Sequence, residues 1–396
     1  MFMEFHEGSN NSMVTEFVLT GSNNSMVTDF VLTGSNNSMV TEFVLTDSSN
    51  SMVTEFVLTG SNNSMVTEFV LTGSNNSMVT EFVLTGSNNS MVTEFVLTGF
   101  SRRPDLQMFL FLTFFFVYLI STWGNMGIIF LVFNKIQFHT PMYFFISNLS
   151  LIDFIYSSNI APKMLAGLLL GHNTISYTGC ATQLFFFCGL GSTECILFAV
   201  MAYDRYVAIC NPLNYNLVMQ QKTCLLLMGG AYSSGFLHST IEVCLTFHLS
   251  FCASNILHHF ACDFPPLLSI SCTDTTINES VLFVLSSCVT MPSVLVILGS
   301  YISILSAILK INGTEGRQKA FSTCASHIIA VTLLYTTVLY VYLSPKSSTS
   351  RDNVNIATVF YTVVLPMLNP LIYSLRNKDI KSAAKTMLQR KLRCIP

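Results

Sequence analysis

Gln107–Phe133 runs for 27 residues without an Asp, Glu, Lys or Arg. A helix of about 20 apolar residues crosses the hydrocarbon core of a bilayer. Inside hydrocarbon a helix satisfies its backbone within a single segment, which no isolated strand or loop does. Six further candidate spans follow, near 142–169, 180–207, 223–247, 280–309, 320–344 and 353–375. The last three carry no charge; 142–169 and 223–247 are weaker, because Asp153, Lys163 and Glu242 interrupt them. Only 10% of the chain is charged, against about 25% in soluble domains, too little to coat the surfaces of two or three such domains. The expected fold is an all-α membrane protein, a seven-transmembrane helix bundle.

Lys and Arg set the orientation. With the N-terminus outside, thirteen of the 18 basic residues fall on the cytoplasmic side, leaving Arg102, Arg103, Lys163, Lys346 and Arg351 outside. An odd number of spans then puts the C-terminus in the cytoplasm. The expectation is a multi-pass plasma-membrane protein in contact with lipid. It divides into an extracellular tail (1–105), a seven-span domain (106–377) and a cytoplasmic tail (378–396). Residues 1–100 hold ten acidic residues and no Lys or Arg, so the tail is acidic and the remainder basic.

The tail is a tandem array of Ser-Asn-Asn-Ser-Met-Val-Thr-Glu-Phe-Val-Leu-Thr-Gly, with seven copies spanning 9–99. Asp29 replaces Glu in the second copy, Asp47 replaces Gly in the third and Ser49 replaces Asn in the fourth. The apolar block of each copy is too short to build a core, and solenoid repeats are mostly 20–50 residues long. A flexible, disordered tail is therefore expected, with a stacked β-array or adhesive stalk as the other reading. The block is β-prone and would aggregate when concentrated, with one acid per copy opposing that. N-glycosylation acceptors stand at Asn10, Asn23, Asn36, Asn62, Asn75 and Asn88; Ser49 destroys the acceptor of the fourth copy. The start, Met1-Phe2-Met3-Glu4, lacks the basic patch and apolar run of a cleavable signal peptide.

Of twelve cysteines, Cys252, Cys262 and Cys272 lie at ten-residue intervals in the loop after the fourth span, and Cys180 opens the third. Four cysteines in an oxidising compartment suggest two disulfides. Their spacing leaves the pairing open.

Four blocks carry a family signature. The third span ends Met201-Ala-Tyr-Asp204-Arg205-Tyr206-Val-Ala-Ile-Cys210-Asn-Pro-Leu. The second opens Pro141-Met142-Tyr143-Phe144-Phe145-Ile-Ser-Asn148-Leu-Ser150, and the sixth is entered as Lys319-Ala-Phe-Ser-Thr-Cys324-Ala-Ser326-His327. The seventh ends Pro366-Met-Leu-Asn369-Pro370-Leu-Ile-Tyr373-Ser-Leu-Arg376-Asn377. In this order the blocks resemble the odorant receptors, a branch of the rhodopsin-like G-protein-coupled receptors. The resemblance covers about residues 91–396, and one repeat copy resembles the family's short N-terminus.

The resemblance implies a receptor for small volatile ligands that activates a stimulatory, olfactory-type heterotrimeric G protein and raises cyclic AMP. Trafficking helper proteins are implied, and no nucleic-acid partner. Asp204, Arg205 and Tyr206 would couple to the G protein. Arg205 by itself could also be a positive-inside arginine reaching the interface. Pro370 removes a helical hydrogen bond and favours a kink, so Asn369, Pro370 and Tyr373 form the expected switch. The implied disulfides are Cys180–Cys262 and Cys252–Cys272. Asp153 and Glu194 are intramembrane carboxylates, costly unless they face the bundle interior. Between neighbouring spans they imply a site for a sodium ion or a shared proton, while the residues alone read equally as a neutral hydrogen-bonded pair. No other cofactor is expected. His258, His259, Cys262 and Asp263 have the residue types of a soft-metal site, but a sulfur in the implied bridge is no longer a thiolate, so no metal is expected.

Rhodopsin-like receptors bind small ligands among the third, fifth, sixth and seventh spans. Helical spacing from Arg205 then points to Phe187, Cys188, Gly191 and Ser192, and counting from the Lys319 block points to Tyr335, Val338 and Tyr342. Such an aromatic, largely uncharged pocket suits apolar ligands with one hydrogen-bonding group, and each residue reads equally well as interhelical packing. Tyr335 fits the family, whereas Thr336 stands where Gly is more usual. A transporter would call for inverted repeats or interrupted helices, an enzyme for a nucleophile–base set or metal motif; neither is seen in the sequence. The remaining alternative is a non-signalling membrane protein whose repeat tail serves adhesion or scaffolding.

Overall fold

The computed structural model describes residues 2–3, 16–21, 27–35, 42–47, 53–61, 69–73, 82–87, 92–99, 104–171, 173–251, 255–310, 314–343, 351–376 and 380–382. The chain divides into two units: Met1–Thr93 with Leu249–Asn255 and Ser269–Asp274, and Glu94–His248 with Ile256–Leu268 and Thr275–Pro396.

In the first unit the described parts of repeat copies one to six are strands. Copies one, three and five pair in parallel, with Phe17 beside Phe43 and Phe43 beside Phe69. Copies two, four and six form a second parallel sheet, Phe30 beside Phe56 and Phe56 beside Phe82. This is the strand pairing of the stacked alternative. All six acceptor asparagines lie outside the described residues.

Among the described residues, the second unit holds seven long helices. Helix one is Pro104–Asn134, helix two Pro141–Leu170, helix three Tyr177–Cys210, helix four Gln221–Phe247, helix five Thr276–Leu309 and helix six Thr314–Leu343. Helix seven runs Arg351–Val359, passes through a π turn at Phe360–Val364 and continues as Leu365–Arg376. Helix two starts on Pro141, whose fixed φ suits a first helical position. It stops at Gly171, whose φ of 68° is left-handed backbone that glycine adopts without strain.

Helices one, three, five and seven are apolar enough to span by composition alone. Helices two and four are more polar because they bury polar side chains, among them Asp153, Ser157, His238 and Glu242, while helix six carries the apolar stretch Cys324–Tyr340. The same residues explain why spans two and four read weakly in the sequence. Helix three is the most buried of the four apolar helices and helix five the least. Helices three and four meet closely: a Cβ on Gly235 would lie 2.7 Å from the Gly189 carbonyl oxygen. Small residues permit this backbone approach, which apolar lipid would not otherwise drive.

At the end of the bundle where helix three begins, the strand of the seventh repeat copy, Glu94–Leu97, lies between Thr174–Ser176 and Ile256–Leu257. It is antiparallel to the first and parallel to the second. Phe95 is fully buried and stacks on Tyr177 with ring centroids 6.0 Å apart.

Candidate functional site

The last turns of helix three carry one part of the site. Arg205 is buried there, and its Nη1 lies 2.7 Å from the Met142 sulfur at the start of helix two. Its Nε has no hydrogen-bond partner. Asp204 accepts a hydrogen bond of 2.8 Å from the Tyr215 hydroxyl. Tyr206 packs against the small cluster of Ile304, Ile308 and Cys324, which joins helices five and six. Arg205 is also within electrostatic reach of Tyr301, Cys324, His327 and Tyr373. All four signature blocks therefore converge at the end of the bundle where helix three stops.

His327 ties three helices together. Its Nε2 lies 3.1 Å from the Phe198 carbonyl of helix three, and its Nδ1 2.6 Å from the Tyr301 hydroxyl of helix five. A carbonyl only accepts, so Nε2 carries the proton and Nδ1 accepts from the tyrosine. Neighbouring Ser326 donates to the Ile372 carbonyl of helix seven at 3.1 Å. The sequence reading used His327 only as part of a signature; its two partners are far away in the chain and leave no local trace.

The residues expected to form a switch on helix seven are arranged around its proline. Pro370 has no N–H, so the Pro366 carbonyl loses its helical donor. Asn125 of helix one supplies one instead, Nδ2 to oxygen at 2.9 Å. Asn369 donates to both Asp153 oxygens, at 3.2 and 3.0 Å. Asp153, Asn369 and Asn125 are all buried. Asn125 is a member that sequence reasoning missed. Glu194 is buried, has an oxygen without a hydrogen-bond partner, and lies within electrostatic range of Asp153. The buried Tyr373 hydroxyl is also unpartnered.

The pocket candidates on helix three face two ways. Phe187 stacks with Tyr156 of helix two at 5.4 Å between centroids and approaches Tyr361 of helix seven at 6.1 Å. A Cβ on Gly191 would also reach Tyr156. Cys188 and Ser192 turn to helix four, where the Ser192 hydroxyl lies 2.8 Å and the Cys188 sulfur 3.9 Å from His238 Nδ1. His238 Nε2 stands 3.7 Å from Glu242. That buried pair escaped the sequence reading, which took Glu242 only as an interruption. Tyr335 lies against Cys195 and Ser293, and Val338 is half-buried on the same helix. The side chain of Tyr342 is outside the described residues.

The outer loop is pinned by a Cys180–Cys262 disulfide. The Gln183 side chain accepts from the Cys262 amide at 2.9 Å and donates to the Asn159 carbonyl at 3.0 Å, while the Asn159 side chain donates to the Gln183 carbonyl at 2.9 Å. Cys272 is disulfide-bonded as well, and its implied partner Cys252 lies outside the described residues. Burial holds the His259 imidazole below its ordinary pKa and pushes the Asp263 carboxyl up; the attraction between the two groups opposes both shifts.

The comparisons agree with this arrangement. The sequence description of the olfactory receptor family matches residues 114–391. Olfactory receptor 5AR1 of Mus musculus is 52% identical over 291 residues, covering 74% of this chain and 94% of its own length. Olfactory receptor 8H3 of Homo sapiens is 50% identical over 291 residues, covering 74% and 93%. Squid rhodopsin has the same fold, with a TM-score of 0.55 at 18% identity over 74% of this chain and 88% of its own. This multi-pass membrane protein belongs to the olfactory receptor family.

Proposed function

We propose that the chain binds a small volatile odorant within the helix bundle and passes the signal to a stimulatory heterotrimeric G protein, raising cyclic AMP. The observation that carries this reading is the convergence of Arg205, Tyr301, His327 and Tyr373 at the inner end of the bundle. Three helices meet there through one neutral imidazole. Moving the inner end of helix six would break both His327 hydrogen bonds and free Arg205 for a partner. Such a device has two states, and a ligand shifts it only by binding one of them better. Ligand recognition falls to Phe187, Cys188, Gly191, Ser192, Tyr335, Val338 and Tyr342, with the Tyr335 hydroxyl, buried beside Cys195 and Ser293, as one polar handle. The N-terminus is outside and the C-terminus in the cytoplasm, at the plasma membrane. A volatile library screened against a cyclic AMP reporter tests the reading. Dose-dependent responses support it; silence towards a broad library at verified surface density speaks for the scaffold alternative.

The central polar site suits a hard cation. Two carboxylates, Asp153 and Glu194, lie within electrostatic range of each other, and the side-chain oxygen of Asn369, which bonds Asp153, has no hydrogen-bond partner. Oxygen donors of this kind favour sodium over soft metals, and a shared proton would relieve the same repulsion. Asp153→Asn should therefore abolish the dependence of basal cyclic AMP on external sodium. An unchanged sodium response in that variant would remove the cation from the account.

Deleting six repeat copies, Ser9 through Gly86, should leave odorant potency almost unchanged. The seventh copy stays and keeps Phe95 under Tyr177. The deletion removes five of the six tail acceptors and leaves Asn88. Glycosidase treatment should then shrink the full chain by several glycans and the shortened one by about one. A large potency shift at equal surface density would show that the tail takes part in recognition.

A further inference from the structure

The outer sheet offers a slot for one strand, and the tail contains seven nearly identical strands. Glu94–Leu97 pairs on both sides, with Thr174–Ser176 and Ile256–Leu257. Two anchors hold it: Phe95 is 0% exposed and Leu97 6%. Thr98 adds a backbone bond to the Leu257 carbonyl at 2.9 Å, and its hydroxyl lies 3.1 Å from His258 Nδ1. Gly99 ends the slot under tight constraint: a Cβ there would lie 2.5 Å from the Phe260 nitrogen and 2.9 Å from the His259 carbonyl carbon. Both are backbone atoms, which cannot step aside as a side chain would.

Every requirement of the slot is repeated upstream. Copy six has Phe82, Leu84, Thr85 and Gly86 at the corresponding positions, and copies one, two, four and five also keep the Phe, Leu, Thr and Gly. Copy three has Asp47 where the slot needs glycine, which excludes it. Asp29 in copy two replaces Glu94, a solvent-exposed position, so that copy remains compatible. The strand of copy six, Phe82–Ser87, lies at an edge of its own sheet and pairs only with copy four among the described strands. In the slot it would pair on both sides. The extra chain would loop out before helix one, at an entropic cost that grows only with the logarithm of loop length.

We propose that the slot is a binding site for the tail's own repeat unit, an extended Val-Thr-Glu-Phe-Val-Leu-Thr-Gly peptide added by strand pairing. Its second occupant is copy six of the same chain. The repeats thus act as a reserve of interchangeable lid strands, so damage to the seventh copy is repaired by register exchange.

The test uses the full chain and surface labelling in cells. Phe95→Asp alone should leave surface level within about twofold of the unaltered receptor, because copy six takes over. Six upstream changes to Asp (Phe17, Phe30, Phe43, Phe56, Phe69 and Phe82) with Phe95 intact should be equally mild. All seven changes together should lower surface level about tenfold, since an unpaired carboxylate cannot enter the slot. A fall after Phe95→Asp as deep as that of the sevenfold variant, or a sevenfold variant at full level, overturns the proposal. The occupant is read by cross-linking. Val96 faces Thr174, and its copy-six counterpart is Val83. In the Phe95→Asp background, Val83→Cys and Thr174→Cys should form a disulfide within a monomer. A disulfide-linked dimer would show that a neighbouring receptor donates the strand and would overturn the assignment to the same chain, as would the absence of any link.

Discussion

Arg205→Ala should leave the receptor at the cell surface and abolish odorant-evoked cyclic AMP. The two halves of this expectation have different causes. Arg205 is buried, with one nitrogen against the Met142 sulfur and another unpartnered. A buried charge so poorly compensated contributes little to folding, and removing it also removes a desolvation cost. Stability should hardly fall. Coupling is another matter, because in the proposed mechanism this charge is what the receptor offers to its partner once helix six moves. Truncating one member of a buried charged contact between proteins costs about 2–5 kcal/mol, which corresponds to a loss of about 30-fold or more. The measurement is cyclic AMP at matched surface density. A normal response would show that Arg205 serves only as a positive-inside arginine.

The second large effect is expected at the outer bridge. Cys180→Ser and Cys262→Ser should each cost about 2–5 kcal/mol, a large share of the roughly 5–15 kcal/mol that holds a typical domain together. Both residues are almost fully buried, and the bridge anchors the loop that supplies one flank of the strand slot. Either change leaves a lone thiol facing a hydroxyl, so the double variant should be little worse than either single one. Surface level and thermal inactivation of the purified receptor would measure this. Strictly additive defects would mean that the two sulfurs contribute independently.

The helices were legible in the sequence because lipid imposes a simple rule: a long run with few charges must be helical. Every expected span falls on an observed helix, and the ends differ by a few residues. The flanks of Asp204, Arg205, Asn369 and Tyr373 carried the resemblance to the family that the comparisons show. What could not be read were partners brought together from distant positions. Asn125 gives no signal until Pro370 is seen to free the Pro366 carbonyl beside it. Tyr215 and Asp204 meet across a turn whose geometry sequence spacing does not specify. Glu242 looked like a defect in a span because hydropathy counts a charge without knowing which way it faces; in the fold it is buried beside His238. The seventh repeat copy was expected to act only as a short N-terminus, whereas it is the middle strand of the outer sheet.

The π turn of helix seven bears on how relatives of this chain can lose or gain residues. Such a turn holds one more residue than an α turn. Everything after Val364 is therefore rotated by about 100° from where an unbroken α-helix begun at Arg351 would place it. Asn369 reaches Asp153 in that rotated frame. A deletion of one residue within Phe360–Val364 would look like a harmless shortening in an alignment. It would restore a regular helix and swing Asn369 and Tyr373 round together by about 100°, so a one-residue deletion variant should lose the Asn369–Asp153 hydrogen bonds.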